Sequence, residues 1–224
     1  MKKTLLLSLV FSSLLQADFI RAEMGAGVWM PSSTGSINKQ DLVDDLDVDS
    51  SQDYYLWALL KHPIPIIPNA RIEYVKTLAE GSGNEVGIQQ VDLIAYYNIF
   101  DNLAWITLDL GVDINVMEQS YKLDGNLRTN SALIPMLYGR GRFEVPGTNF
   151  GLESVIKYLS YGESNVGDIR LKVDYTLDLP LLQPAVELGY RHEVIKTSEK
   201  DFSDLDKDTD ITMSGIYLGA MLRF

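Results

Sequence analysis

For general acid–base work the 224-residue chain offers two imidazoles, His62 and His192, and for thiolate chemistry it offers nothing, because it contains no cysteine. Histidine is the side chain whose ordinary protonation change lies nearest neutral pH, so each is a candidate base. His62 opens the run His62-Pro63-Ile64-Pro65, which reads as a turn, and is expected at a boundary rather than in a catalytic cleft. His192 shares parity with Leu188 and Tyr190 and is therefore expected on an apolar outer face, near the end of a strand. A base there suits chemistry on a lipid, provided that a nucleophile stands beside it. Val194 holds the place where a His-x-Ser arrangement carries its serine, and no His–Asp pair joined to an acidic pair is apparent.

Carboxylates form the second group. Asp41, Asp44, Asp45, Asp47 and Asp49 crowd one stretch, while Asp204, Asp206, Asp208 and Asp210 alternate in another. Hard divalent cations take several carboxylate oxygens, so cation-bridged contact with a phosphate-rich surface is one reading. The glycine that an EF-hand loop needs at its sixth position is missing, since Thr209 follows Asp208. Solvated acidic loops are the plainer expectation. No catalytic, cofactor-binding or metal-binding residue is assigned, and no cofactor is expected.

These residues must be held by something, and the chain's composition limits what. Lys and Arg total 19 against 31 Asp and Glu, a formal charge of −12, which argues against nucleic-acid binding. Hydrophobic residues make up 46%, yet mean hydropathy is only −0.01, so the apolar material is dispersed. Its one dense run is N-terminal. Lys2 and Lys3 precede the apolar stretch Leu5–Leu15, and Leu15-Gln16-Ala17 ends in a small residue, so residues 1–17 are expected to be an export signal cut after Ala17. The run is shorter than the roughly 20 residues of a membrane-spanning helix.

The remainder, residues 18–224, alternates with a period of two. Ala104, Ile106, Leu108, Leu110, Val112, Ile114 and Val116 share one parity, and Trp105, Thr107, Asp109, Gly111, Asp113 and Asn115 the other. Ile169, Leu171, Val173, Tyr175 and Leu177 alternate likewise with Asp168, Arg170, Lys172, Asp174 and Thr176. That is strand periodicity, with none of the three- and four-residue spacing of a helix. Ten strands are predicted near 19–30, 53–62, 70–79, 88–99, 104–117, 131–145, 150–161, 168–177, 185–197 and 209–224. Connections at 63–69, 100–103, 146–149 and 178–184 are short; those at 31–52, 80–87, 118–130, 162–167 and 198–208 are generally longer and more polar. Short turns at one end and longer loops at the other are the pattern of an all-β, antiparallel, up-and-down transmembrane β-barrel.

The second face separates a membrane barrel from a soluble one. A soluble barrel or sandwich also has one apolar face per strand, but its strands usually run 5–6 residues, against roughly 9–11 for a tilted membrane strand. Several strands here reach that length. Their polar parity mixes charge with small residues: Arg21, Glu23, Gly25 and Gly27; Arg71 and Glu73; Arg140, Arg142 and Glu144; Glu187, Gly189, Arg191 and Glu193. Opposite signs on neighbouring strands can pair across a narrow lumen. Trp29, Tyr54, Trp57, Tyr74, Tyr97, Tyr138, Phe143, Phe150, Tyr158, Tyr161 and Tyr190 mostly fall toward strand ends, where membrane girdles place aromatic rings.

The C-terminus, Tyr217-Leu218-Gly219-Ala220-Met221-Leu222-Arg223-Phe224, resembles the terminal signal of bacterial outer-membrane proteins, with Tyr217, Gly219, Leu222 and Phe224 at the recurring positions. The resemblance implies recognition by the β-barrel assembly machinery through strand addition at a sheet edge. A further resemblance runs through Tyr55-Leu-Trp-Ala-Leu-Leu-Lys-His62-Pro63-Ile-Pro65-Ile-Ile-Pro68-Asn69, Trp105-Ile-Thr-Leu-Asp109-Leu-Gly111, Pro135-Met-Leu-Tyr138-Gly139-Arg140 and Glu187-Leu-Gly189-Tyr190-Arg191. These segments resemble an uncharacterised family of small proteobacterial outer-membrane β-barrel proteins named for co-occurrence with GlyGly-type C-terminal sorting systems. That likeness implies a barrel in the cell outer membrane of a Gram-negative bacterium and supplies no catalytic residues. The expectation is a monomer with both termini in the periplasm, in contact with outer-membrane lipid and lipopolysaccharide, and structural or porin-like with at most a narrow passage. The alternatives are an outer-membrane enzyme acting on lipid A or phospholipid, and a soluble periplasmic barrel that binds a lipid.

Overall fold

The computed structural model describes the chain except residues 1–19, 38–39, 42–52, 65, 82–83, 124–125, 181 and 203–207, so the expected export signal lies outside the described residues. The described strands are β1 (Arg21–Ile37), β2 (Gln40–Asp41), β3 (Asp53–Lys61), β4 (Asn69–Gly81), β5 (Asn84–Leu103), β6 (Ile106–Leu123), β7 (Asn126–Glu144), β8 (Phe150–Tyr161), β9 (Ser164–Thr176), β10 (Gln183–Thr197) and β11 (Thr209–Arg223). The two-residue β2 only folds back on the end of β1; the other ten each pair antiparallel with the next, and β11 pairs with β1. Closure leaves those ten without a free edge. In hydrocarbon an unpaired backbone group costs several kcal/mol, so a spanning sheet has to close.

Side chains sort by parity as expected. On β6, Leu110, Val112 and Val116 are exposed while Asp109, Asp113 and Asn115 are buried inside. On β7, Leu137 is 70% exposed and its inward neighbours Met136 and Tyr138 are buried. These outward rows have no protein to cover them and so belong in lipid. Leu137 lies near the middle of its outward row, and Leu137→Arg is expected to cost about 2–4 kcal/mol, the order found for a cation at the bilayer midplane. Urea titration of the barrel refolded in lipid vesicles measures it.

Where the loops were expected, the ladders continue. β4 and β5 pair up to Gly81↔Asn84, and β6 and β7 up to Leu123↔Asn126, so most of 80–87 and 118–130 is hairpin. There the polarity inverts. Ser32, Lys76, Glu118, Ser131, Ser160, Lys196 and Asp210 face outward, and Ile88, Met117, Ile134, Ile195, Ile211 and Met213 are packed inside. A barrel that stands out of the bilayer is bathed in water, so its outer face turns polar and its inner face supplies an ordinary hydrophobic core.

At the other end the turns are tight. Ala104 and Trp105, expected to begin a strand, instead form the β5–β6 turn with φ of 53° and 66°, and β5 runs on through Leu103. Two positive φ values are what a two-residue hairpin of the right-handed twist requires; Asn-Gly is its usual signature, so Ala-Trp concealed it. The Trp105 carbonyl accepts the Glu144 amide at 2.9 Å, fastening the turn to the end of β7.

Candidate functional site

The bore is where the chain concentrates its polar chemistry. Eleven carboxylates and seven cations lie buried there among the described residues, an assembly that no hydrocarbon-facing surface tolerates. Lys157, on β8, stands at the centre. Its Nζ lies 2.7 Å from Asp92, 2.9 Å from Glu73, 3.5 Å from Asp168 and 3.8 Å from Asp113. Arg170 reaches Glu73 at 2.6 Å, and Arg191 bridges Asp168 and Glu193, each at 3.1 Å. Pairing of this kind links strands that are far apart in the sheet and braces the tube across its diameter.

Toward the turn end the ladder of charges repeats. Arg140 joins Asp109 at 2.7 Å to Glu153 at 2.8 Å. Arg142 donates to Asp174 at 2.7 Å and to Glu144 at 2.6 Å, Lys172 sits between Glu153 and Glu187, and Arg223 of the last strand meets Asp174 at 3.0 Å. Guanidinium–carboxylate pairs in these geometries satisfy several donors at once and set side-chain direction as well as charge balance.

Aromatic rings fill what the charges leave. Trp29, Trp57 and Tyr138, expected in the outer girdle, are instead buried in the bore. Their parity says why: Trp29 shares a face with Glu23, Gly25 and Gly27, and Tyr138 with Arg140 and Arg142. The Arg71 guanidinium stacks 4.7 Å from the Trp57 ring and that of Arg191 4.5 Å from the Trp29 ring, so each tryptophan faces a cation. Tyr54, Tyr97, Phe143, Phe150, Tyr158, Tyr161 and Tyr190 do face outward, as a girdle requires.

Among the charged layers little space remains. A cavity of about 30 Å³ beside Tyr55, Glu73, Glu153, Arg170 and Glu187 has room for about two waters, and one of about 10 Å³ beside Asp92, Lys157 and Glu193 has room for about one at most. Above the charged layers the apolar core of the loop end, including Ile134 and Ile195, at 0% exposure each, closes the bore a second time. Alternation alone reveals the charged layers but not this apolar cap, because a single fixed polarity places every polar side chain inward.

His62 belongs to the β3–β4 turn: its Nδ1 accepts the Ile64 amide at 3.1 Å, which leaves the ring proton on Nε2 to be donated to the Pro68 carbonyl at 3.1 Å. With both nitrogens engaged, it shapes the turn. His192 faces outward as expected, and the register of β10 and β11 sets it opposite Ser214, with Nδ1 2.7 Å from the hydroxyl oxygen. Along the strand itself Val194 occupies the serine's place; the hydroxyl comes from the next strand, and only the antiparallel register brings it there. At the C-terminus Tyr217 points into the bore, Gly219 pairs with Gly27, Leu222 faces outward, and Phe224 exchanges backbone hydrogen bonds with Ala22. Asp44, Asp45, Asp47, Asp49, Asp204 and Asp206 lie outside the described residues, while Asp208 accepts the Glu199 amide at 3.0 Å and Asp210 lies 3.7 Å from Lys196. Among the described residues no group of three or more metal-ligating side chains is assembled.

A closed antiparallel tube with an apolar outer belt and a charge-filled bore defines a transmembrane β-barrel, and the outer membrane is its location. No protein-family model matches the chain, and no curated protein matches it. Solved structures similar to it include the outer membrane protease OmpT from Escherichia coli, 11% identical, covering 93% of this chain and 97% of that one with a TM-score of 0.48. The translocator domain of the autotransporter NalP from Neisseria meningitidis is 10% identical, covering 95% and 91%, with a TM-score of 0.46. Neisserial surface protein A is 11% identical, covering 92% and 95%, with a TM-score of 0.43.

Proposed function

We propose that this is a sealed barrel of the bacterial envelope, structural in its bore and without a solute path. One observation carries the reading: the lumen is obstructed twice in series, by the ion-paired layers around Lys157 and by the apolar core around Ile134 and Ile195. Opening it would strip the charges of partners in one layer and leave a void in the other. Planar-bilayer recording of the purified barrel tests this. The expected trace shows no stable conductance steps, and a large, lasting conductance would refute the proposal.

The same reading gives the chain its partners. Outer-membrane lipid and lipopolysaccharide contact the apolar belt and the polar collar above it. The short turns and both termini face the periplasm. The last strand, through Tyr217, Gly219, Leu222 and Phe224, is the segment offered to the β-barrel assembly machinery, and the folded barrel works as a monomer. Deleting Phe224 and following the yield of outer-membrane barrel in cells tests the terminal signal, with a severalfold loss expected.

A further inference from the structure

His192 and Ser214 face each other across the β10–β11 ladder on the outer wall, bonded at 2.7 Å, and both are half-buried. One step toward the membrane along the same faces are Tyr190 and Ile216, about half exposed and apolar; farther out, past Val194 and Thr212, come Lys196 and Asp210. The pair thus sits where the apolar belt gives way to the polar collar, at the depth where acyl chains of membrane lipids join their headgroups. Ser32, exposed on β1, lies directly across the next ladder from Ser214. A hydroxyl hydrogen-bonded to an imidazole nitrogen, beside a surface that collects esters, is the minimal arrangement for nucleophilic hydrolysis.

We propose that Ser214 and His192 form a nucleophile–base pair that hydrolyses a carboxylic ester of an outer-leaflet lipid. The Ser214 hydroxyl transfers its proton to Nδ1 of His192 as Oγ bonds to the ester carbonyl carbon. The bond from that carbon to the alkoxy oxygen breaks, and the leaving alcohol takes the proton from His192. Water then attacks the acyl-serine, passes a proton to His192, and the carbon–Oγ bond breaks as Ser214 regains it. The products are one fatty acid and a lipid with one acyl chain fewer. Ladder hydrogen bonds occupy the backbone amides here, so the donor to the oxyanion is a side chain, and Ser32 is the hydroxyl placed for it. Among the described residues no carboxylate bonds the His192 ring, so the pair is a dyad and its turnover is slow.

This goes beyond the sealed-bore reading and is independent of it, since conductance and ester cleavage are separate measurements. The full-length barrel is reconstituted into phosphatidylethanolamine vesicles and, separately, into vesicles carrying hexa-acylated lipid A. Released fatty acid is followed by mass spectrometry, and a fluorophosphonate probe is mapped to its modified residue. Probe on Ser214 and fatty acid release from either vesicle are expected, the productive vesicle naming the lipid. Ser214→Ala should abolish both, and His192→Ala should slow both by about a hundredfold. Heat-modifiable gel mobility shows that the variants are folded. Failure of the wild-type barrel to label Ser214 and to release acid from either vesicle overturns the proposal, as does release that persists in folded Ser214→Ala.

Discussion

Lys157→Met is expected to lower the stability of the folded barrel by about 3–5 kcal/mol, the usual cost of removing one partner from a buried ion cluster. Against a total of about 5–15 kcal/mol for a folded domain, that is enough to lose much of the folded population. Glu73 and Asp168 keep Arg170, at 2.6 and 3.5 Å. Asp92 keeps the Asn115 amide at 2.7 Å but loses its cation, and Asp113 loses the ammonium 3.8 Å away. The damage therefore concentrates on Asp92, at a depth where water does not screen it. Adding Asp92→Asn to Lys157→Met is expected to restore most of the loss, because the stranded charge goes with the cation. Urea titration in detergent micelles, read by heat-modifiable mobility, measures all of these forms. A Lys157→Met barrel as stable as the wild type would mean that the bore does not depend on its charge balance.

Sequence alternation exposes the outer wall because lipid imposes a single rule on it: Leu108, Leu110, Val112 and Ile114 recur at every second position, and no charged residue has a place in that row. It exposes the lower bore for the converse reason, since Arg140, Arg142, Asp168 and Lys172 have no place in hydrocarbon. The rule holds only within the bilayer. Past its edge the outside is wet, and Ile88, Met117 and Ile195 turn inward while Lys76, Glu118 and Lys196 turn outward. A pattern read with one fixed polarity ends its strands there and calls the rest loop. Trp29 and Trp57 depart from the girdle for a different reason, since a tryptophan suits a girdle or a lumen equally and only parity distinguishes them. The His192–Ser214 pair lay beyond any single-strand reading, because its proximity is a property of register between two strands.

Gly27→Val should prevent the barrel from closing at all. Tyr55, Gly27, Gly219 and Glu187 occupy successive positions in one row across β3, β1, β11 and β10. The two glycines clear a lane along the inner wall, and through it the Tyr55 hydroxyl donates to Glu187 at 2.6 Å, with its ring edge-on to Tyr217 at 5.5 Å. A side chain at Gly27 would collide with the Tyr55 ring and with the carbonyl of Leu218 on the facing strand. The ring can swing aside, but the carbonyl belongs to the ladder that joins the first strand to the last. Relief therefore requires the seam to part, exposing backbone groups to lipid at several kcal/mol each, beyond the 1–3 kcal/mol or so of ordinary overpacking. Gly141 supplies the control, since nothing lies within 4 Å of a side chain added there, and Gly141→Ala should fold as the wild type does. The folded, heat-modifiable fraction of each variant is the measurement: near zero for Gly27→Val and undiminished for Gly141→Ala. A Gly27→Val barrel that closes normally would show that the lane between β1 and β11 is spare room rather than a condition of closure.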